Sequence, residues 1–93
     1  MPAGSVTQPV LLTQVQPEYT DAAREARVTG TVTLQGIVQK DGMMTEIQVI
    51  KGIGWGLDEK AIAAVQQWRF RPAMRNGEPV ATFISVLVNF SLR

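Results

Sequence analysis

Two consecutive segments near the middle of the chain alternate regularly between apolar and polar residues. In the first, Val32, Leu34 and Val38 alternate with threonines and glutamines on the other face, which is the two-residue period of a strand with one buried face. In the second, Ile47 and Val49 alternate with polar residues in the same way. The pattern predicts two neighbouring strands.

The dipeptide Asp41-Gly42 separates these segments and predicts a tight hairpin turn between them. Asp-Gly favours a type I′ turn, because both central residues of that turn need a positive φ. A two-residue loop would place Val38 opposite Thr45. The turn geometry and the hydrophobic alternation are independent signals, and both predict the same buried face.

The same pairing places Gly36 opposite Ile47 and Leu34 opposite Val49. A glycine in the middle of a strand predicts a bend or a bulge there.

Two short helices are predicted, one on each side of the hairpin. Thr20 is a suitable N-cap, Asp21 lies at the positive end of the helix dipole, and good helix formers follow as far as about Ala26. Asp58 and Glu59 begin the second helix in the same favourable way.

The second helix has an apolar stripe at helical spacing, which indicates a side packed on the core: Ala61, Ile62, Val65 and Trp68. It must end by Phe70, because Pro72 disfavours the helical conformation at Arg71. The glycine-rich segment before the helix lacks the spacing of a phosphate-binding loop, and we expect it to fold Trp55 back onto the core.

The segment after the second helix contains three arginines among aromatic residues. We predict that Arg69 and Arg71 point outward on either side of an inward Phe70, and that residues 75–78 form a second tight turn. Nucleic-acid binding is the competing interpretation, but it requires a basic excess and exposed aromatic residues.

The N-terminal segment is apolar but irregular, and Pro9 and Pro17 interrupt it. We expect residues 1–8 to be a flexible lead-in and residues 9–93 to form one domain, with the segment before Pro17 extended over it. A chain of 93 residues supports one domain with one modest core.

The last strand is predicted over residues 83–92, and it is the most apolar strand of the chain. One face alternates through apolar residues, and the other is polar except for Phe83 and Leu87. A long strand without lysine or proline suits a central position, or else an edge left open for a partner. The sequence leaves both positions open. The candidate partner-binding residues are Phe83, Ile84, Ser85, Val86, Leu87, Val88, Asn89 and Phe90.

Composition excludes several classes of function. A net charge of +1 disfavours a dedicated nucleic-acid or membrane-surface binder, and the absence of cysteine and histidine removes thiol nucleophiles, Cys/His zinc sites and the usual general base. The close acidic pairs, Asp58 with Glu59 and Glu18 with Asp21, lie where helix starts favour negative charge. We therefore predict no catalytic residues, no cofactor and no metal site.

Four motifs occur in an order that resembles the TonB C-terminal domain family. They are PEYTDAAREARVTGTV, KDGMMTEIQVIKG, GLDEKAIAAVQQWRFRPAMRNGEPV and VLVNFSL, and the resemblance extends over about residues 9 to 92. The family usually has proline where Thr20 stands, and a helix N-cap tolerates that change.

The resemblance implies an α+β fold of two layers, with two short helices on one face of a three-stranded antiparallel sheet in the order α-β-β-α-β. It also implies a periplasmic domain of a protein anchored in the inner membrane. Such a protein works with an inner-membrane motor complex through parts outside this chain.

The partner that the resemblance implies is a TonB-dependent outer-membrane receptor. Its TonB box would add as a strand beside the last strand, between residues Phe83 and Phe90, in support of nutrient import driven by the proton-motive force. The alternatives are a homotypic assembly domain, in which the same strand pairs with a second copy, and a sensory domain of another envelope protein.

Overall fold

The computed structural model describes residues 6–92, which form two helices and eight strands. The elements in chain order are β1 (Val6–Thr7), β2 (Val10–Thr13), α1 (Asp21–Glu25), β3 (Gly30–Val38), β4 (Met44–Lys51), α2 (Leu57–Val65), β5 (Arg69–Arg71), β6 (Ala73–Arg75), β7 (Glu78–Val80) and β8 (Thr82–Phe90). The flexible lead-in was expected at residues 1–8; residues 1–5 lie outside the described residues, and Val6 and Thr7 form the paired strand β1.

The three long strands form one antiparallel sheet in the order β4-β3-β8, with β3 in the centre. The core lies between one face of this sheet and the two helices. It is built from Ala23, Val32, Leu34, Val38, Leu57, Ala61, Val65, Val88 and Phe90, with further apolar residues around them. This is the predicted two-layer α+β fold, and burial of each large aliphatic side chain contributes roughly 1.5–3 kcal/mol to it.

The turn between β3 and β4 differs from the predicted one. The N–H of Gly42 donates to the Gln39 carbonyl at 2.9 Å, and the N–H of Gln39 donates to the Met43 carbonyl at 2.9 Å, so the loop has three residues. Gly42 has a φ of 87°, whereas Asp41 is not among the residues with positive φ. These features match a type I turn followed by a glycine bulge, and the predicted type I′ turn is wrong.

Side-chain and backbone contacts explain the longer loop. The Asp41 carboxylate accepts the N–H of Met43 at 3.0 Å, and the Gly42 carbonyl accepts the N–H of Phe70 at 2.9 Å. Val38 consequently lies opposite Met44 and not opposite Thr45, which corrects the predicted pairing.

A bulge in β4 takes up this shift of one residue. Glu46 has a φ of 52°, and two residues of β4 lie opposite Gly36, where the sequence predicted a bend or a bulge. Beyond the bulge, Leu34 lies opposite Val49 as predicted. The inward face of β3 is therefore the predicted one, whereas on β4 Met44 is buried in place of the predicted Thr45.

The lead-in is extended and forms two short strands, of which β1 pairs with β6 and β2 pairs with β5. Val6 opposite Arg75 and Val10 opposite Arg71 belong to one continuous antiparallel register. In that register Pro9 and Pro72 face each other, and the ladder is interrupted there because proline has no N–H. We call β1, β2 and the β5–β7 segment, residues 6–13 and 69–80, the ribbon.

The second tight turn lies at the end of the ribbon, where the sequence predicted it. Arg75 and Glu78 pair across a two-residue loop, and Asn76 and Gly77 have φ values of 51° and 82°. Positive φ at both central residues is the type I′ geometry.

Both helices begin where the sequence predicts, within one residue. The Thr20 hydroxyl accepts the N–H of Ala23 at 3.2 Å, which caps α1. Helix α2 ends at Val65, and Trp68 lies buried just beyond it with its indole N–H donating to the Val15 carbonyl at 2.9 Å. The lead-in is thereby fixed to the core.

The expectation that Trp55 folds onto the core is wrong, because Trp55 is 53% exposed. Gly54, Trp55 and Gly56 all have positive φ, so three successive left-handed residues turn the chain outward. Half-buried Ile53 packs against the core in its place.

Candidate functional site

Strand β8 lies at the edge of the main sheet and leaves one of its sides unpaired. Its other side pairs with β3 through nine consecutive residue pairs without a register shift. Among residues 6–92, no strand pairs with the far side of β8. The sequence left open whether this strand is central or at an edge, and in the structure it is an edge strand.

The direction of the backbone groups in β8 follows from the hairpin. The N–H of Gln39 donates to the Met43 carbonyl, so the backbone groups of Gln39 point toward β4. In an antiparallel strand the N–H and C=O groups of successive residues point alternately to the two sides. The backbone groups of Val38 and Gly36, and of every second residue before them in β3, therefore point toward β8. The β8 partners of these residues bond inward, to β3. We call them the inward-bonding residues: Thr82, Ile84, Val86, Val88 and Phe90.

The remaining residues of β8 direct their N–H and C=O groups toward the open side. These outward-bonding residues are Phe83, Ser85, Leu87 and Asn89. Together they form a template of four donors and four acceptors spaced for another strand.

Side chains of β8 divide between the two faces of the sheet. Val88 and Phe90 are buried beneath the helices, whereas Ile84 is half-buried beside the open edge. Phe83 and Leu87 lie on the face away from the helices and are 70% and 63% exposed. A strand added at this edge would therefore meet apolar side chains on both faces.

The opposite edge of the sheet, β4, is less suited to accept a strand. Its pairing with β3 shifts twice, once at the Glu46 bulge and once between the partners of Thr33 and Leu34. Bulges twist an edge away from regular pairing, and β4 also ends in Lys51. These are the devices by which proteins protect an edge, and β8 has neither.

Two of the acidic residues considered for catalysis have partners within the domain. The Asp58 carboxylate accepts the N–H groups of Ile53 and Gly54 at 2.9 and 3.3 Å, and it thereby organises the glycine-rich loop. Glu18 lies 3.7 Å from the Lys60 ammonium. The described residues contain no group of three or more His, Cys, Asp or Glu that could hold a metal ion.

A shallow depression of about 290 Å³ lies between the lead-in and α2. Its walls are Val15, Gln16, Pro17, Glu18, Lys60, Ala63, Ala64 and Gln67. It is open, and its two charged side chains, Glu18 and Lys60, are solvent-exposed and pair with each other. The unpaired edge of β8 is therefore the better candidate site.

The arginine-rich segment does not form a base-stacking surface. Trp68 and Phe70 are buried, at 3% and 6% exposure, so neither can stack on a nucleotide. Arg69 and Arg71 point outward on either side of Phe70, as predicted.

The residue range of the candidate site stays a prediction, and the sequence did not indicate the direction of its backbone bonds. That direction depends on the three-residue loop at Gly42, because a two-residue loop changes which residues pair across the hairpin. The ribbon was also missed, although Pro9 and Pro72 are consistent with one interrupted ladder. Among the described residues, no helix has the length and apolar character needed to cross a membrane.

Comparisons with known proteins match most of the chain to one protein family. A family model described as the Gram-negative bacterial TonB protein C-terminal matches residues 15–92. The chain is 33% identical to Protein TonB of Vibrio cholerae serotype O1, over 96% of the chain and 40% of that protein. It is 39% identical to Protein tonB2 of Pseudomonas aeruginosa, over 82% of the chain and 28% of that protein.

A solved structure has the same fold. The solution NMR structure of the Pseudomonas aeruginosa TonB CTD superposes with a TM-score of 0.74 at 24% identity, covering 92% of this chain and 88% of that one. The chain spans less than half the length of the curated relatives it matches.

Proposed function

Because the chain belongs to the TonB C-terminal family, we propose that it docks outer-membrane receptors by accepting their TonB box as an added strand beside β8. The family consists of protein-interaction domains and not of enzymes. The docking segment of this chain is Phe83 to Phe90, with the outward-bonding residues supplying the hydrogen bonds.

The relatives support a wider role for the proposed parent protein, although this chain matches only a part of each. In the proposed parent protein, the domain lies in the periplasm, and a preceding segment anchors it in the inner membrane beside a motor complex. Docking would then transmit energy from the proton-motive force to the receptor and support nutrient import.

One observation supports the proposal most strongly, namely the difference between the two edges of the sheet. Strand β8 is regular over all nine of its residue pairs and open on its far side, whereas β4 is interrupted by two register shifts. An unprotected regular edge favours aggregation, so its retention is best explained by a partner that covers it.

Backbone bonds would supply most of the affinity. Each added hydrogen bond contributes roughly 0.5–1.5 kcal/mol net, and the outward-bonding residues offer up to eight groups. Contacts with Phe83 and Leu87 on one face and with Ile84 on the other would add selectivity. Most single side-chain substitutions in β8 should therefore weaken binding only modestly.

A proline substitution tests the site, because proline removes one N–H and places a ring where that N–H pointed. In Ser85→Pro the lost N–H points to the open side, so the domain should stay folded and lose affinity for a TonB box peptide. In Val86→Pro the lost N–H bonds to β3, so the domain should lose stability. Calorimetric titration with the peptide and thermal melting separate these effects, and Ser85→Ala controls for the lost hydroxyl.

Two outcomes would count against this function. Undiminished peptide binding by folded Ser85→Pro would exclude docking at β8. If the wild-type chain ignored receptor peptides but self-associated, and Ser85→Pro abolished the self-association, the homotypic assembly alternative would be favoured.

A further inference from the structure

Strands β7 and β8 form one continuous strand. Only Ala81 separates them, and its φ is not positive. From Pro79 to Phe90, exposed side chains alternate without a break with half-buried or buried ones. A bulge at Ala81 would shift this alternation by one residue. The alternating backbone directions of β8 therefore continue into β7.

The pairing of β7 with β6 gives the same backbone directions independently. Arg75 and Glu78 flank a two-residue loop and form its hydrogen-bonded pair. Met74 and Pro79, the next pair, do not bond to each other. The N–H of Met74 points away from β7, because it donates to the Thr7 hydroxyl in β1 at 3.1 Å. The backbone nitrogen of Pro79 therefore points to the side opposite β6, where no strand of residues 6–92 lies.

Pro79 thus lies on the open edge, in line with Ala81 and the outward-bonding residues. Proline has no N–H, and its ring takes up the space through which a neighbouring strand would approach. A proline on an edge strand is one of the devices by which proteins prevent further pairing. Strand β8 contains neither proline nor a charged residue. The continuous edge is therefore blocked in β7 and open from Ala81 onward.

We infer that Pro79 ends the docking edge, so that a receptor segment bonds along the chain from Asn89 to Ala81 and no further. This inference rests on the proposed docking at β8. A segment displaced toward β7 would meet the proline ring and lose a hydrogen bond, so Pro79 limits both the length and the register of the docked segment. Pro79 is in this sense a specificity-determining residue, whereas the exposed side chains of β8 select the sequence of the segment.

The fold does not depend on the proline ring. Pro79 is exposed, and its position toward β6 is one without a hydrogen bond, so another residue there leaves the pairing of β6 with β7 unchanged. The edge can therefore be lengthened or shortened by substitution while the domain stays folded. Thermal melting of each variant checks this.

Pro79→Val lengthens the edge, because valine favours strands and restores an outward N–H. Two peptides are compared by calorimetric titration, namely the TonB box alone and the same box extended at both ends by receptor residues. The variant should bind the extended peptide about three- to tenfold more tightly than the wild type does, the effect of about one added hydrogen bond. The box alone should bind both proteins with the same affinity, within about twofold.

Ala81→Pro shortens the edge by one outward N–H and should weaken the binding of both peptides by about threefold or more. The matched control is Pro9→Val, which replaces a proline in the lead-in, away from the docking edge. It should leave both affinities unchanged within about twofold. In an NMR exchange experiment on Pro79→Val, the N–H of the substituted residue should become protected when the extended peptide binds.

The outcomes separate this inference from the proposed function. If the wild-type chain binds neither peptide, docking at β8 and the inference are both overturned. If the wild type binds, but Pro79→Val binds the extended peptide no more tightly and its new N–H stays unprotected, only the inference is overturned. Self-association of Pro79→Val without a gain in peptide binding would also overturn it, and would assign the proline to preventing strand pairing between two copies of the chain.

Discussion

At the scale of single residues, Gly42 joins two parts of the fold. Its carbonyl accepts the N–H of Phe70, and a Cβ at this position would lie 2.2 Å from the Phe70 carbonyl oxygen. The residue also has a φ of 87°. Both the close approach and the backbone conformation require glycine.

Replacement of Gly42 by alanine should therefore lower the free energy of unfolding by about 2–4 kcal/mol, because a steric clash adds to the cost of positive φ. Gly77→Ala is the matched control, since Gly77 has a φ of 82° with nothing within 4 Å of its added Cβ. Its cost should be only about 1 kcal/mol. Urea unfolding of both variants measures the difference, and equal losses would contradict a contact between Gly42 and Phe70.

Trp68 is buried and hydrogen-bonded, whereas Trp55 is exposed, so the two tryptophans should respond differently to substitution. Trp68→Ala should cost about 3–5 kcal/mol. Trp68→Phe should cost less, mainly the hydrogen bond to the Val15 carbonyl, about 1 kcal/mol, together with the lost volume. Trp55→Ala should leave the melting temperature nearly unchanged. A large loss in Trp55→Ala, measured by thermal melting, would show that Trp55 does pack on the core.

At the scale of elements, Asp58 connects the glycine-rich loop to the start of α2. Asp58→Ala should destabilise the domain by about 1–2 kcal/mol, because the N–H groups of Ile53 and Gly54 lose their acceptor. Glu59→Ala removes the same charge from the same helix turn but breaks no such bond, so it should cost under about 1 kcal/mol. Chemical denaturation measures the free energy of unfolding of both variants. Similar losses of stability would mean that Asp58 acts only through the helix dipole.

Hydrophobic periodicity was sufficient to predict the long elements and the buried faces of β3 and β8. Val32, Leu34 and Val38 are all fully buried, as their alternation predicted. The loops were less predictable, because Asp-Gly serves both two-residue and three-residue hairpins. The side chain of Asp41 and the carbonyl of Gly42 select the longer loop through contacts that the sequence does not show.

Trp55 illustrates the same limit. A large apolar aromatic side chain favours burial. Its direction, however, depends on the positive φ of Gly54, Trp55 and Gly56 and on the hydrogen bond from the Ile53 N–H to the Asp58 carboxylate. The ribbon escaped prediction because two facing prolines interrupt its ladder and its strands are only two to four residues long.

At the scale of the whole molecule, the two-layer fold leaves one protected edge and one open edge. The candidate site was predicted as a residue range from the apolar alternation and the family resemblance. Which of its residues bond outward depends on the register of β3 against both neighbours, and that register follows from tertiary contacts. The outward-bonding residues therefore became definable only in the folded chain.

Amide hydrogen exchange, followed by NMR, tests docking at β8 most directly. In the free domain, the N–H groups of the outward-bonding residues should exchange quickly, and those of the inward-bonding residues should be protected by their bonds to β3. Addition of a receptor TonB box peptide should protect the outward-bonding residues while the inward-bonding residues stay protected. Alternating protection gained along β8 is the result predicted by strand addition. Protection that appears on β4 instead, or no change along β8 at a peptide concentration that saturates binding, would contradict it.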